Sequence, residues 1–298
     1  MSVTAFTNYL LYEKKYAMLT IKAYSKDLDD FQEFIALEHE GQTLQNLEYR
    51  QIRTWIVSLV EQGMSNRSIN RKVSSLNSYY KFMVKIGDME SNPLAKHKAL
   101  KATKKVQVPF SEEEMENVIK DLKSETDFEG IRDRLVIELF YATGVRRIEL
   151  VQLKLVDLDL ANKTLKVLGK RNKERIIPLI DTVVQTAKEY LELRSSLEII
   201  KDNEFLFLTK KGVKIYETLV YRIINDYFSR ASTKVKRSPH ILRHSFATHL
   251  LSQGANMNAV KELLGHSSLA ATQVYTHNSI NELKKVYSNA HPRSKKRE

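Results

Sequence analysis

The sequence predicts a mainly α-helical protein with a small antiparallel β-sheet, divided into two domains. Three observations carry that expectation. Apolar residues recur at spacings of three and four along most of the chain, and the period shortens between about Leu153 and Leu179. A lysine-rich stretch following Asn92-Pro93 separates two regions of different character. The boundaries that follow are a helical domain over residues 1–95, a basic linker over 96–108 and a larger α+β domain over 109–298.

In the first domain, Ile21, Tyr24, Leu28, Phe31, Phe34 and Ile35 form one helical stripe, with Thr20 as its expected N-cap. Ile52, Trp55, Ile56, Leu59 and Val60 form a second, and Ile69, Val73, Leu76, Tyr79, Tyr80 and Met83 a third. All three read as core packing. Gly63 and Gly87 stand where helices end. The second domain opens on Ser111 with Glu114 three residues on, the spacing of a capping box. Lys163–Val167 and Arg175–Pro178 read as strands around a Gly169-Lys170-Arg171-Asn172 turn, and Phe205–Leu208 as a third strand.

Composition narrows the function classes. A chain of 298 residues that is 42% hydrophobic and 28% charged is of ordinary globular type. No apolar run reaches the length of a membrane span, and the start (MSVTAFTNYLLYEKK) lacks a basic stretch ahead of a continuous apolar one, so no secretory signal is expected. Without cysteine there is no disulfide, thiolate metal site or cysteine nucleophile. These absences point to a cytoplasmic protein. The net charge of +12 makes a polyanion, nucleic acid first, the partner to consider, with a solvated basic surface as the ordinary alternative. The charge is uneven. Up to Met64 acidic residues prevail, whereas from Ser65 to Lys105 Arg67, Arg71, Lys72, Lys81, Lys85 and a run of further lysines face only Asp88 and Glu90.

Four stretches hold residues suited to chemistry. In ATGVRRIEL (142–150) a bend at Gly144-Val145 precedes a helix, with Arg146 near its start and Glu149 one turn on; by itself this is an ordinary arginine with an i,i+3 partner. In GKRNKERIIPL (169–179) Lys170 sits at a hairpin tip, where most lysines only solubilise. In PHILRHSFATHLLSQG (239–254) Pro239 suits a helix entry and Gly254 its end. His240 and Arg243 share a face there, which puts an imidazole beside a guanidinium as phosphate binding requires. A metal site on His240 and His244 is the weaker reading, because Arg243 lies between them and no carboxylate adjoins; His244 and His249 read as structural. In ELLGHSSLAATQVYTH (262–277) Gly265 ends a helix, His266 follows in a loop, and Ser267 or Ser268 caps a helix carrying Tyr275. Together Arg146, Lys170, His240, Arg243, His266 and Tyr275 supply fixed positive charge, proton donors and acceptors and a nucleophile, with no carboxylate cluster for magnesium.

In that order the motifs resemble the tyrosine recombinase and phage integrase family, most closely the bacterial Xer recombinases. The resemblance spans nearly the whole chain, down to a terminal His291-Pro292-Arg293. Two positions depart from it: Arg171 stands where similar proteins often have glycine, and Arg147 where an apolar residue is usual.

The resemblance implies a core-binding domain of the SAM-like helical type ahead of an α+β catalytic domain. It implies that Tyr275 attacks a DNA phosphate to give a 3′-phosphotyrosyl link, needing no metal, ATP or other cofactor. Arg146 and Arg243 clamp the phosphate oxygens, His240 is the base, Lys170 protonates the leaving 5′-oxygen, His266 hydrogen-bonds the phosphate, and Glu149 orients Arg146. Arg67, Arg71, Lys72, Lys81, Arg171 and Lys173 are the expected DNA contacts. Four protomers on two short, nearly palindromic DNA sites are implied, exchanging a helix that bears Leu283, Val286 and Tyr287, with a DNA translocase as a candidate activator. Chromosome dimer resolution leads over mobile-element integration and DNA inversion. A non-catalytic DNA-binding protein of the same fold, or a relaxing topoisomerase, are the competing classes.

Overall fold

The computed structural model describes residues 2–103, 108–169, 173–231, 237–265 and 290–293. The chain divides into two compact units, residues 1–105 and 106–298.

The first unit is helical: α1 (Ser2–Asn8), α2 (Met18–Glu38), α3 (Tyr49–Glu61) and α4 (Asn66–Lys85). The apolar stripes become its core, where Leu28, Phe31, Ile52, Trp55, Ile69, Leu76, Tyr79 and Met83 are buried. Phe31 and Trp55 pack with ring centroids 4.7 Å apart, and Phe6 meets Tyr79 edge-on at 5.5 Å. Ser65 caps α4 by accepting the Ser68 amide at 3.3 Å. Gly63 and Gly87, which follow α3 and α4, take the left-handed backbone conformation at φ +76° and +83°. Two details differ from the sequence reading. α2 begins ahead of Thr20, with Ala17 in extended conformation as its N-cap. Val60 lies on the solvent side of α3, 48% exposed, because Trp55, Ile56 and Leu59 already fill the face turned inward.

One polar cluster lies inside this unit. Asp27 on α2 is buried and accepts from three residues of α4. Arg71 grips it with both terminal nitrogens, Nη2 at 2.8 Å. Lys72 Nζ approaches at 3.3 Å and Ser75 Oγ at 2.7 Å. Lys72 also pairs with Asp30. A buried carboxylate is tolerated when its lone pairs are taken up by charged donors. This corrects the expectation for Lys72: its side chain is 9% exposed, and its ammonium ties α4 to α2 instead of facing DNA. Arg71 is half-exposed, but its guanidinium is likewise engaged with Asp27.

The second unit begins with α5 (Glu112–Leu122), α6 (Phe128–Thr143) and the short α7 (Arg147–Gln152). The expected capping box is present: Ser111 Oγ accepts the Glu114 amide at 3.1 Å while Glu114 accepts the Ser111 amide at 2.7 Å. α6 is buried from Leu135 to Thr143 on every side, as befits a helix at the centre of its domain. The sheet follows as β1 (Leu158–Asp159), β2 (Thr164–Leu168) and β3 (Glu174–Pro178), antiparallel in the order β1-β2-β3. Leu165 stands opposite Ile177 and Val167 opposite Arg175, so these four share the buried face. Phe205–Leu208 does not join this sheet. Leu206, Phe207 and Leu208 are buried in succession, without the alternation of a half-buried strand. Their backbone is committed elsewhere, as in the Leu206 amide bond to Leu153 O at 2.8 Å; Phe205 and Leu208 form isolated bridges with Lys154 and Lys214. α8 (Asp181–Ser195), α9 (Glu217–Ala231), α10 (Pro239–Ser252) and α11 (Met257–Leu264) complete the described helices. Ala290–Arg293 also belongs to this unit's described residues, with Ala290 and His291 buried.

Candidate active site

Arg146 enters the site as the N-cap of α7. Its backbone is extended, and Glu149 one turn later accepts its amide at 2.9 Å and its Nη1 at 2.6 Å. The carboxylate is buried, so the pair is no surface ion pair. Gly144, just before it, adopts φ +59° to end α6. A Cβ at that position would run into the Phe246 ring and come within 2.8 Å of Leu264 Cδ2, so both the turn and the packing demand glycine.

Arg243 arrives from the first turns of α10, which starts on Pro239. Its Nη1 donates to Gly144 O, and its Nη2 to Leu264 O at 2.6 Å. Arg146 Nη2 lies 3.4 Å from Gly265 O. The two arginines are thereby brought to the same carbonyl end of α11, where unpaired carbonyls and the helix dipole favour cations. Burial, then the neighbouring charges of Arg146 and Arg175, push the Arg243 guanidinium down to about 10, against the partial relief that Glu149 provides. It remains a cation at neutral pH. His240, one turn before Arg243, is exposed.

The sequence reading missed one member of this cluster. Arg175 on β3 is only 4% exposed. Its Nη2 and Nη1 donate to the two oxygens of Glu149 at 2.7 and 3.2 Å, and its Nε to Leu263 O at 2.9 Å. The Glu149 carboxylate thus accepts from both arginines and from a backbone amide, filling its lone-pair positions. Burial acts most strongly on it and pushes its pKa up. The Arg175 bonds and charge, joined by the Arg146 bonds, outweigh that and hold it below the ordinary 4.5. A signal was present in the sequence: Arg175 is two residues from Ile177, on the core face of a strand, where an arginine must find a buried partner.

Other predicted residues fall as follows. Lys170, Arg171, His266, Tyr275, Leu283, Val286 and Tyr287 lie outside the described residues. Arg67, Lys81 and Lys173 are exposed. Arg147, the second position that departs from the family pattern, pairs with Glu217 of α9 at 2.7 Å. His249 is buried with Nδ1 2.8 Å from the Tyr141 hydroxyl, a structural histidine as expected. His244 is exposed and so forms no part of the core. Among the described residues no three His, Asp or Glu side chains converge as metal ligands would. His291 is buried with Nε2 3.2 Å from Tyr141 O, and Arg293 pairs with the buried Glu138 at 3.1 Å. Among the described residues no helix is long and apolar enough to cross a membrane.

Residues 109–282 match the phage integrase family and residues 3–87 the N-terminal SAM-like domain of phage integrases. The chain belongs to this family, the tyrosine recombinases. Among its relatives are the tyrosine recombinase XerC of Staphylococcus carnosus, 39% identical over 98% of this chain and 97% of that protein, and that of Staphylococcus haemolyticus, 38% identical over the same shares. The fold resembles the XerH site-specific recombinase bound to its difH substrate before cleavage, with a TM-score of 0.70 at 24% identity over 96% of this chain and 85% of that one. The protein is a site-specific recombinase of Xer-like type.

Proposed function

We propose that this recombinase cuts and rejoins DNA through Tyr275, with Arg146 and Arg243 holding the scissile phosphate. The observation that carries this is the meeting of those two guanidiniums at the carbonyl end of α11, directly ahead of His266 and the tyrosine-bearing segment in the chain. Three arginines and one carboxylate leave a surplus of positive charge, which suits an anionic ligand.

Tyr275 Oη attacks the phosphorus as His240 takes the phenol proton. A neutral phenol with a pKa of about 10 is a weak nucleophile at neutral pH, which is why a base is needed. Charge builds on the non-bridging oxygens, where Arg146 and Arg243 stabilise it, and His266 adds a hydrogen bond. The bond from phosphorus to the 5′-oxygen breaks, Lys170 delivers a proton, and a 5′-hydroxyl leaves. The new phosphotyrosyl ester keeps the phosphodiester bond energy, so the reverse attack by another 5′-hydroxyl rejoins the strand without ATP.

Double-stranded DNA at a short, nearly palindromic site is the substrate. Arg67 and Lys81 on α4, with Lys173 and Arg171 at the hairpin, are its proposed cation contacts; phosphate contacts fix position and groove contacts select sequence. Four protomers acting on two sites in the cytoplasm, exchanging their C-terminal helix and answering to a DNA translocase, complete the reading. Similarity to XerC proteins over almost the entire chain favours chromosome dimer resolution over integration or inversion.

The test uses nicked genomic fragments, which lose the short strand on cleavage and so trap the covalent intermediate. Wild type is expected to form protein–DNA adducts at a small set of related sequences, and Tyr275→Phe none. Adducts with Tyr275→Phe, or none with wild type, refute the assignment.

A further inference from the structure

We propose that Arg175 is a positioning residue for strand cleavage: it holds Glu149 and the end of α11 in register, so that Arg146 keeps one terminal nitrogen off the carboxylate, on a long contact to Gly265 O that a phosphate can displace. The inference rests on the function proposed above.

Three successive carbonyls at the end of α11 each receive a different guanidinium. Leu263 O takes Arg175 Nε at 2.9 Å, Leu264 O takes Arg243 Nη2 at 2.6 Å, and Gly265 O lies 3.4 Å from Arg146 Nη2. The last contact is the longest and the easiest for a phosphate oxygen to displace. Arg175 belongs to a strand, β3, whose pairing with β2 fixes it rigidly. It therefore supplies a fixed reference for two things at once, the carboxylate that orients Arg146 and the residue from which the chain runs on toward His266 and Tyr275. Gly265 permits the approach: its backbone is left-handed at φ +62°, and a Cβ there would stand 3.3 Å from the Arg175 side chain.

The division of hydrogen bonds argues for a role beyond stability. With Arg175 in place, Glu149 gives each oxygen partly to Arg175, and Arg146 binds it through Nη1 and its amide alone. Without Arg175 the buried carboxylate has one cationic partner left and draws both terminal nitrogens of Arg146 into a fork, the geometry that arginine–carboxylate pairs prefer. That fork competes with the phosphate. A lysine cannot substitute, since one ammonium cannot span two carboxylate oxygens and a carbonyl in the plane that the guanidinium covers. A buried arginine is also a costly way to fill a core position that an apolar side chain would fill.

The experiment uses full-length protein on the nicked duplex that wild type cleaves, reading DNA affinity and 5′-hydroxyl release separately. Arg175→Lys should bind within about threefold of wild type yet cleave about 30- to 100-fold more slowly, the scale expected when a reacting group is misplaced by about 1 Å. A second substrate carries a methylphosphonate at the scissile position, in which one charged non-bridging oxygen becomes a methyl group. With less charge to stabilise, the defect should shrink to about fivefold or less. The double variant Glu149→Gln/Arg175→Gln, which leaves no unpaired buried charge, should recover folding but not cleavage.

Equal defects on the two substrates, binding and cleavage falling in parallel, or full activity in the double variant would each assign Arg175 a structural role and overturn the inference. So would failure of both variants to fold. If wild type itself releases no 5′-hydroxyl, the proposed function fails first; if wild type cleaves and Arg175→Lys matches it, this inference alone fails.

Discussion

Replacing Asp27 by asparagine removes one charge from the centre of the N-terminal unit while keeping size and shape. Arg71 is half-exposed and can turn to water, so its loss of a partner costs little. Lys72 cannot. Its side chain is 9% exposed, and after the substitution its ammonium keeps Asp30, itself 36% exposed, as its anionic partner. Stranding a buried charge altogether costs about 3–5 kcal/mol, and the surviving Asp30 contact brings the expected loss to about 2–3 kcal/mol. Ser75 keeps an acceptor in the asparagine oxygen and adds little. Trp55 is the single tryptophan and lies under Lys72, with Nζ 6.0 Å from its ring centroid, so its fluorescence reports unfolding of this unit alone. In urea, with a slope of about 1–3 kcal/mol per molar, the midpoint should fall by about 1–3 M at constant slope. Asp27→Asn combined with Lys72→Met should regain much of the loss. An unchanged midpoint, or a double variant weaker than Asp27→Asn alone, would refute the view that Lys72 is a buried tie.

The same view separates the cations of α4: Arg67→Ala and Lys81→Ala should each lower the slope of log affinity for DNA against log salt by about 1, whereas Lys72→Met should leave that slope as it is. Gly144→Ala should destabilise the catalytic unit by about 3 kcal/mol, from left-handed backbone strain and collision with Phe246 and Leu264, and should slow cleavage because Gly144 O anchors Arg243; calorimetry and the adduct assay measure the two. Burial pushes His291 down to about 4, with Arg293 and His249 adding to the effect and the Tyr141 carbonyl opposing it. Between pH 6.5 and about 4 the unfolded chain binds a proton that the folded one refuses, so stability falls as pH drops through that window, by up to about 3–4 kcal/mol at about 1.4 kcal/mol per pH unit. His291→Gln should flatten that part of a melting-temperature profile.

Much of the helical architecture is readable because burial imposes a period on the residues themselves. The stripe from Ile69 to Met83 and the Ser111–Glu114 cap each have one straightforward structural solution. Phe205–Leu208 is misread because four apolar residues in a row fit a strand, a buried loop or a helix turn equally well. Lys72 is misread although its spacing from Ile69 and Leu76 puts it on the apolar face; its partner, Asp27, is equally hidden in the stripe of α2 between Tyr24 and Leu28. Each charge looks like an ordinary surface residue until the other is known.

The sequence by itself determined the order of elements, the residue types available for phosphate chemistry and the places of Arg146, His240 and Arg243 at helix starts, since all of these depend on neighbours a few residues apart. Only the tertiary structure decided which charges face each other. That α7, β3 and the end of α11 come together, and that Arg175 joins them by binding both Glu149 and Leu263 O, follows from packing between segments up to 119 residues apart, as in the contact of Arg146 with Gly265. The energy of a buried ion depends on what surrounds it in space, and local spacing carries no record of that.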